Sequence, residues 1–168
     1  MPYLLPNGIN MNSLHFLLLL VTLHLTGLVI MAGTTIIDYI TYRTFWRIYA
    51  LEKQTSKNLL QLMSKFSRLI GIGAAVLILT GFGMMVLTKG AFGQQLWFRI
   101  KFALVIILVL NGILVGRRQG SKLRKRAADT GFQLTPQTSK LKSRLNLFYC
   151  VQLLIFIVIL ILSVFKFN

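Results

Sequence analysis

The chain has 168 residues, of which 55% are hydrophobic, and its mean hydropathy is +0.71. This composition is typical of membrane proteins and excludes an ordinary soluble enzyme. There are 19 Lys and Arg against three acidic residues. Because the basic residues lie between long apolar runs, they indicate contact with an anionic lipid surface and argue against nucleic-acid binding. The single cysteine, Cys150, excludes an intrachain disulfide and a Cys-rich metal site.

The first long apolar run covers residues 13–37 and contains no formal charge. A hydrocarbon core about 30 Å thick needs roughly 20 helical residues, so this run can cross it. The run is longer than the apolar core of a signal peptide and no Lys or Arg precedes it, so we expect it to remain as a helix. The residues just beyond it are typical of an interfacial aromatic belt: Tyr39, Tyr42, Phe45, Trp46 and Tyr49.

Three more spans are predicted along the chain. Apolar residues at helical spacing in 59–69 indicate an amphipathic helix that runs directly into the second span. A short glycine-containing turn precedes the third span. Thr135 and Pro136 are typical of an N-cap followed by a proline at the first helical position, so we expect the last helix to begin near Pro136. The predicted spans are 69–88, 96–116 and 147–165.

The distribution of Lys and Arg predicts how these spans are oriented. The connection 38–68 holds six of them and the connection 117–146 holds nine. The positive-inside rule therefore places both connections in the cytoplasm and both termini outside. The sequence predicts an all-α integral membrane protein with one domain: an antiparallel up-down-up-down four-helix transmembrane bundle in the bacterial inner (plasma) membrane.

Few ionisable side chains are predicted at membrane depth: His15, His24, Arg99 and Lys101. The spans hold no carboxylate, which argues against a proton- or sodium-coupled carrier and against most hydrolytic schemes. His15 and His24 are nine residues apart and lie on opposite faces of one helix, so they cannot both bind one metal ion from that helix. His15, close to the outer boundary, fits a polar interfacial residue.

His24 lies near the middle of the first span, where an imidazole without a partner is costly. We therefore expect it to face the bundle. One interpretation is a hydrogen bond to a neighbouring helix through Thr80, Asn111 or a backbone carbonyl. The other is an axial ligand to a haem held between the helices. Gly27 would allow close approach of either a flat macrocycle or another helix.

Lys101 lies more than one turn into the third span and enters the membrane from the same side as His24. An ammonium group that faces inward needs an anion, which a haem propionate, a lipid phosphate or an acidic substrate would supply. The alternative is that Arg99 and Lys101 both extend to the outer headgroups beside Trp97.

Three short stretches together resemble a known group of proteins. They are His24 with Gly27 and Ala32-Gly33, Leu79-Thr80-Gly81, and Leu96-Trp97-Phe98-Arg99-Ile100-Lys101. The first three spans resemble the small four-helix membrane proteins around the bacterial haem-pathway protoporphyrinogen oxidase and the copper-resistance D-type membrane domains. The resemblance implies bound haem b, with His24 as the iron ligand and Lys101 as a functional residue. We also expect Gly27 and Thr80 to lie at the cofactor.

Two functions follow as hypotheses. The first is a haem b-binding membrane protein with a redox or porphyrin-handling role, in which Lys101 is the catalytic residue of a haem-dependent oxidoreductase. The second is a non-enzymatic scaffold or accessory subunit whose basic cytoplasmic segments bind anionic lipid or an acidic partner protein. A small-molecule exporter is a weaker third hypothesis, because four spans without a buried carboxylate would need a homodimer to form a pathway.

Overall fold

The computed structural model describes residues 11–49, 53–90, 93, 95–128 and 136–165. Its regular structure in those ranges is helical throughout. Four stretches of the described chain are long and apolar enough to cross a membrane, which confirms the prediction of an all-helical, multi-pass architecture. The helices are α1 (Met11–Ile48), α2 (Lys53–Leu87), α3 (Leu96–Asn111), α4 (Arg118–Ala128) and α5 (Pro136–Val164), with a π-helical stretch, Gly112–Arg117, joining α3 to α4.

The helices extend well beyond the apolar runs. Helix α1 has 38 residues and is therefore about 57 Å long, against a hydrocarbon core of about 30 Å. It continues past Asp38, where the first span was expected to end, into the basic region. Helix α2 is continuous from Lys53, so the amphipathic segment and the second span form one helix, and α5 begins at Pro136. Both features agree with the prediction.

Helices α1 and α2 pack against each other in antiparallel orientation through their backbones. A Cβ atom on Gly73 would lie 2.9 Å from the backbone nitrogen of Met31, and one on Gly27 would lie 3.2 Å from the carbonyl oxygen of Gly73. Contacts this close exclude any larger side chain without a shift of one helix. The small residues therefore serve the helix–helix interface, as they commonly do in membranes.

Helix α3 packs mainly on α5, which also contacts α1. Side chains from all four long helices meet in one apolar cluster, whose buried members are Met31, Leu108, Ile155, Phe156 and Ile159. Leu28 and Ala32 of α1 and Ala74 and Leu77 of α2 are among the partly buried side chains around it. The backbones of α3 and of the α1–α2 pair meet much less closely. The bundle thus consists of two helix pairs, α1–α2 and α3–α5, which side-chain packing joins.

A second apolar cluster lies at the basic end of the bundle, where the chain was expected to be polar. Its buried members are Tyr42, Phe45, Leu60, Met63, Leu123, Leu141, Leu145 and Tyr149. Tyr42 is 2% exposed and Phe45 is 0% exposed. The expectation that these two side chains belong to an interfacial belt is therefore wrong. They pack inside a core because α1 continues as a helix and α4 and α5 cover it.

Helix α2 ends in a left-handed residue that is not glycine. The Gly90 N–H donates to the Met85 carbonyl oxygen at 3.0 Å, and the Lys89 N–H donates to that of Val86 at 3.1 Å. This pair of bonds is the Schellman arrangement, which requires a positive φ at the residue after the helix. That residue is Lys89, with φ of 50°. The turn leads towards α3, which carries Lys101.

Candidate functional site

The candidate site is centred on His24, which α1 places against α2. Its ring nitrogen Nδ1 lies 2.8 Å from the hydroxyl oxygen Oγ1 of Thr80. A Cβ atom on Gly81 would lie 3.5 Å from the ring carbon Cε1, so the imidazole lies directly beside the Gly81 backbone. Of the partners considered from the sequence, Thr80 bonds to His24, and so does a backbone group, that of Leu77. The side chain of Asn111 instead donates to Oε1 of Gln152 at 2.9 Å.

The Thr80 hydroxyl favours one tautomer of the His24 ring. That hydroxyl has a single hydrogen, and it donates to the Val76 carbonyl oxygen at 2.6 Å. A Thr80 hydroxyl engaged in this way accepts from His24, which favours the tautomer protonated on Nδ1. A neutral imidazole protonated on Nδ1 has its lone pair on Nε2. The pair thus orients the ring and leaves Nε2 as a base or a ligand.

Lys101 of α3 joins this site from the opposite helix pair. It lies close enough for its positive charge to act on the His24 ring. The apolar cluster begins one helical turn deeper on each helix, with Leu28 on α1, Leu77 on α2 and Leu104 on α3. His24, Thr80 and Lys101 therefore each lie one helical turn from the inner core, on the side away from the basic end.

The other residues singled out in the sequence lie elsewhere. Gly27 is buried against Val76 and Gly73, so the backbone of α2 already fills the space beside it. His15 and Arg99 are exposed, on the first turns of α1 and α3. The structure thus places His24 in contact with Thr80 and within reach of the charge of Lys101, with Gly27 one turn below His24, at the helix crossing.

A second buried polar pair was not predicted as a functional feature. The carboxyl of Asp38 is only 6% exposed, and its Oδ2 accepts a 2.8 Å hydrogen bond from the Tyr149 hydroxyl. Its Oδ1 has no hydrogen-bond partner among the described residues. The positive charge of Arg124 also acts on this carboxyl. The one sequence signal was that an acid is rare here, since Asp38 is one of three in the whole chain.

The donor set determines which metal groups the site could hold. Within the described ranges, no three His, Cys, Asp or Glu side chains cluster closely enough to bind a bare metal ion. A haem iron differs, because the macrocycle supplies four ligands and the protein supplies only the axial ones. His24, held at Nδ1 by Thr80, could supply one such axial ligand.

Comparison with known proteins identifies no relative from which a role for these residues could be inferred. Neither a protein-family model, nor a curated protein, nor a solved structure matches this chain.

Proposed function

We propose that this protein binds haem b between its membrane helices and has a redox or porphyrin-handling role. The observation that carries the proposal is the hydrogen bond from His24 Nδ1 to Thr80 Oγ1. Axial and metal-binding histidines commonly donate their second nitrogen to such a partner, which fixes the ring and the tautomer. Haem, when bound, would supply one-electron redox chemistry.

The helix contacts around His24 limit where the haem macrocycle could lie. The Gly27–Gly73 crossing has no room for it, because the two backbones are in contact there. The space has to come from the side of His24 that faces α3, where the helix backbones are farther apart. On that side Lys101 would pair with a propionate or with an acidic substrate. His24 would bind the iron through Nε2, and Thr80 would hold the imidazole in position.

The membrane placement belongs to the same proposal. We infer that the basic connections face the cytoplasm of a bacterial inner membrane and that both termini lie outside, because the Lys and Arg residues concentrate at one end of the bundle. Lys101 then lies in the outer half of the membrane and His24 lies near the middle.

The test is the absorption spectrum of the full chain, expressed with added haem precursor and purified in detergent. We expect a Soret band that His24→Ala abolishes. The matched control is His15→Ala, which removes an exposed imidazole from the same helix and should leave the band unchanged. Equal loss in both variants would contradict a specific ligand role for His24.

Colourless wild-type protein would instead favour the scaffold hypothesis. In that case His24→Ala and Lys101→Ala should be tolerated. Reversal of charge at Arg124, Lys125 and Arg126 should then be the damaging change, because a scaffold of this kind would act through its basic surface.

A further inference from the structure

A groove lies between α1 and α5 at the basic end of the bundle, far from His24. Its volume is about 490 Å³. Three of its lining side chains are cations, namely Arg43, Arg47 and Lys142, and no carboxylate is among the lining residues. Hydroxyl and amide groups that can donate hydrogen bonds complete the polar wall: Ser139, Ser143 and Asn146. Such a lining is suited to an anion with several oxygen atoms.

Two contacts between α1 and α5 join the walls of the groove. The Tyr42 hydroxyl donates to the Lys142 carbonyl oxygen at 2.6 Å, which ties α1 to α5 beneath the groove. The Lys142 ammonium lies 5.4 Å from the centroid of the Trp46 ring, within range of a cation–π interaction. Tyr42 itself is part of the second apolar cluster. The groove therefore lies on a packed core, with Lys142 held against the Trp46 ring and Arg43 and Arg47 exposed on the α1 wall.

Apolar surface continues from the groove towards the membrane. Ile36 lies seven residues before Arg43 on the same face of α1, and it is 46% exposed. Leu154 lies eleven residues after Ser143 on the same face of α5, and it is 63% exposed. A ligand with a charged head and a hydrocarbon tail would match both parts of this surface at once.

We propose that the groove binds the headgroup phosphate of an anionic phospholipid whose acyl chains lie along the apolar faces of α1 and α5. Arg43 and Arg47 are one turn apart and offer planar guanidinium groups, which suit the paired oxygens of a phosphate. Lys142 adds a third charge from the opposite wall. The site is independent of the haem proposal, because no residue is shared between them.

The experiment uses Trp46 as a reporter. The chain has two tryptophans, so Trp97→Phe leaves Trp46 as the one fluorophore of its kind. The full chain is placed in phosphatidylcholine nanodiscs that contain an equal mole fraction of either brominated phosphatidylglycerol or brominated phosphatidylcholine. Bromine quenches tryptophan at short range, so the ratio of the two quenching efficiencies measures the preference for the anionic lipid at the groove.

Charge-matched variants separate a site from general attraction. Arg43→Gln/Arg47→Gln removes two charges from the groove. Arg118→Gln/Lys125→Gln removes two charges from another basic cleft, on and beside α4, that has no aromatic residue in its lining. Circular dichroism checks that both remain folded.

We expect phosphatidylglycerol to quench Trp46 more strongly in the parent protein. The groove variant should lose this preference, and the α4 variant should keep it. Equal quenching by the two lipids, or equal loss in both variants, would overturn the proposal. So would displacement of the lipid by inorganic phosphate, because the groove would then recognise the phosphate alone.

Discussion

The Tyr149 hydroxyl donates a 2.8 Å hydrogen bond to Oδ2 of Asp38, across the contact between α5 and α1. Both side chains are buried, and Asp38 Oδ1 accepts no further bond within the described part of the chain. A buried carboxyl with one hydrogen bond is costly to leave with none. This contact therefore adds to the packing that joins the two helices at the end of the predicted membrane span.

Removing the Tyr149 hydroxyl tests how much its bond to Asp38 contributes to the stability of the fold. Tyr149→Phe should lower the free energy of unfolding by about 2–3 kcal/mol, because Asp38 would remain buried without its partner. Tyr39→Phe is the matched control, since its hydroxyl makes only a long 3.4 Å contact to Asn146 at the surface. Denaturant unfolding in detergent micelles measures both. An equal loss of stability in the two variants would show that the bond to Asp38 contributes no more than the surface contact of Tyr39.

The orienting role of Thr80 predicts a change in haem binding. Thr80→Val removes the acceptor for His24 Nδ1–H while keeping the shape of the side chain. Removing a hydrogen bond that orients a metal-binding histidine typically lowers metal affinity by about 10–100-fold, so we expect haem affinity to fall by that factor. Thr80→Ser retains the hydroxyl and should bind haem like the parent. Titration of haem into the apo protein, followed in the Soret region, would contradict the role if the Val variant matched the parent.

The backbone contact between α1 and α2 predicts opposite effects at two nearby glycines. Gly73→Ala should lower the free energy of unfolding by about 1–3 kcal/mol, because its Cβ would meet the Met31 backbone. Gly71→Ala meets nothing within 4 Å and should gain up to about 1 kcal/mol from better helix propensity. Thermal unfolding by circular dichroism compares them. Similar melting of both variants would argue against a tight crossing.

A polar contact inside the second helix pair predicts a compensating double mutant. Asn111 donates to Gln152 at 2.9 Å, and Gln152 is buried. Asn111→Leu should cost about 0.5–2 kcal/mol, the range of such bonds between membrane helices. Adding Gln152→Leu should restore much of the loss, since no buried amide would then lack its partner. A double mutant as unstable as the sum of two single losses would contradict this contact.

Much of the fold was predictable from periodicity alone. Apolar runs of sufficient length indicated four candidate spans, and the proline at position 136, preceded by a threonine, marked the beginning of α5. The extent of α1 was not predictable, because the charged side chains of Arg43 and Arg47 lower the local hydropathy as a polar loop would. They lie on one side of a helix whose other side carries the buried Phe45.

The candidate site was predictable in part. The depth of His24 required a partner, and Thr80 was one of three candidates on chemical grounds. The choice among them depends on the rotation of α1 against α2, which the contact of Gly27 with Gly73 determines. Asp38 was overlooked because its burial comes from α5, more than a hundred residues away in sequence. No local pattern reports a contact of that kind.

The length of α1 also affects how readily a protease can cleave the chain. Trypsin cuts after lysine and arginine, and it needs local unfolding to seat a helical segment. Arg43 and Arg47 in α1, Lys65 in α2 and Lys142 in α5 all lie inside continuous helices packed around their own core. Cleavage at these sites should be slow even after the lipid is stripped away, and digestion should stop at large fragments. The basic end of the bundle would then behave as a folded unit with a core of its own.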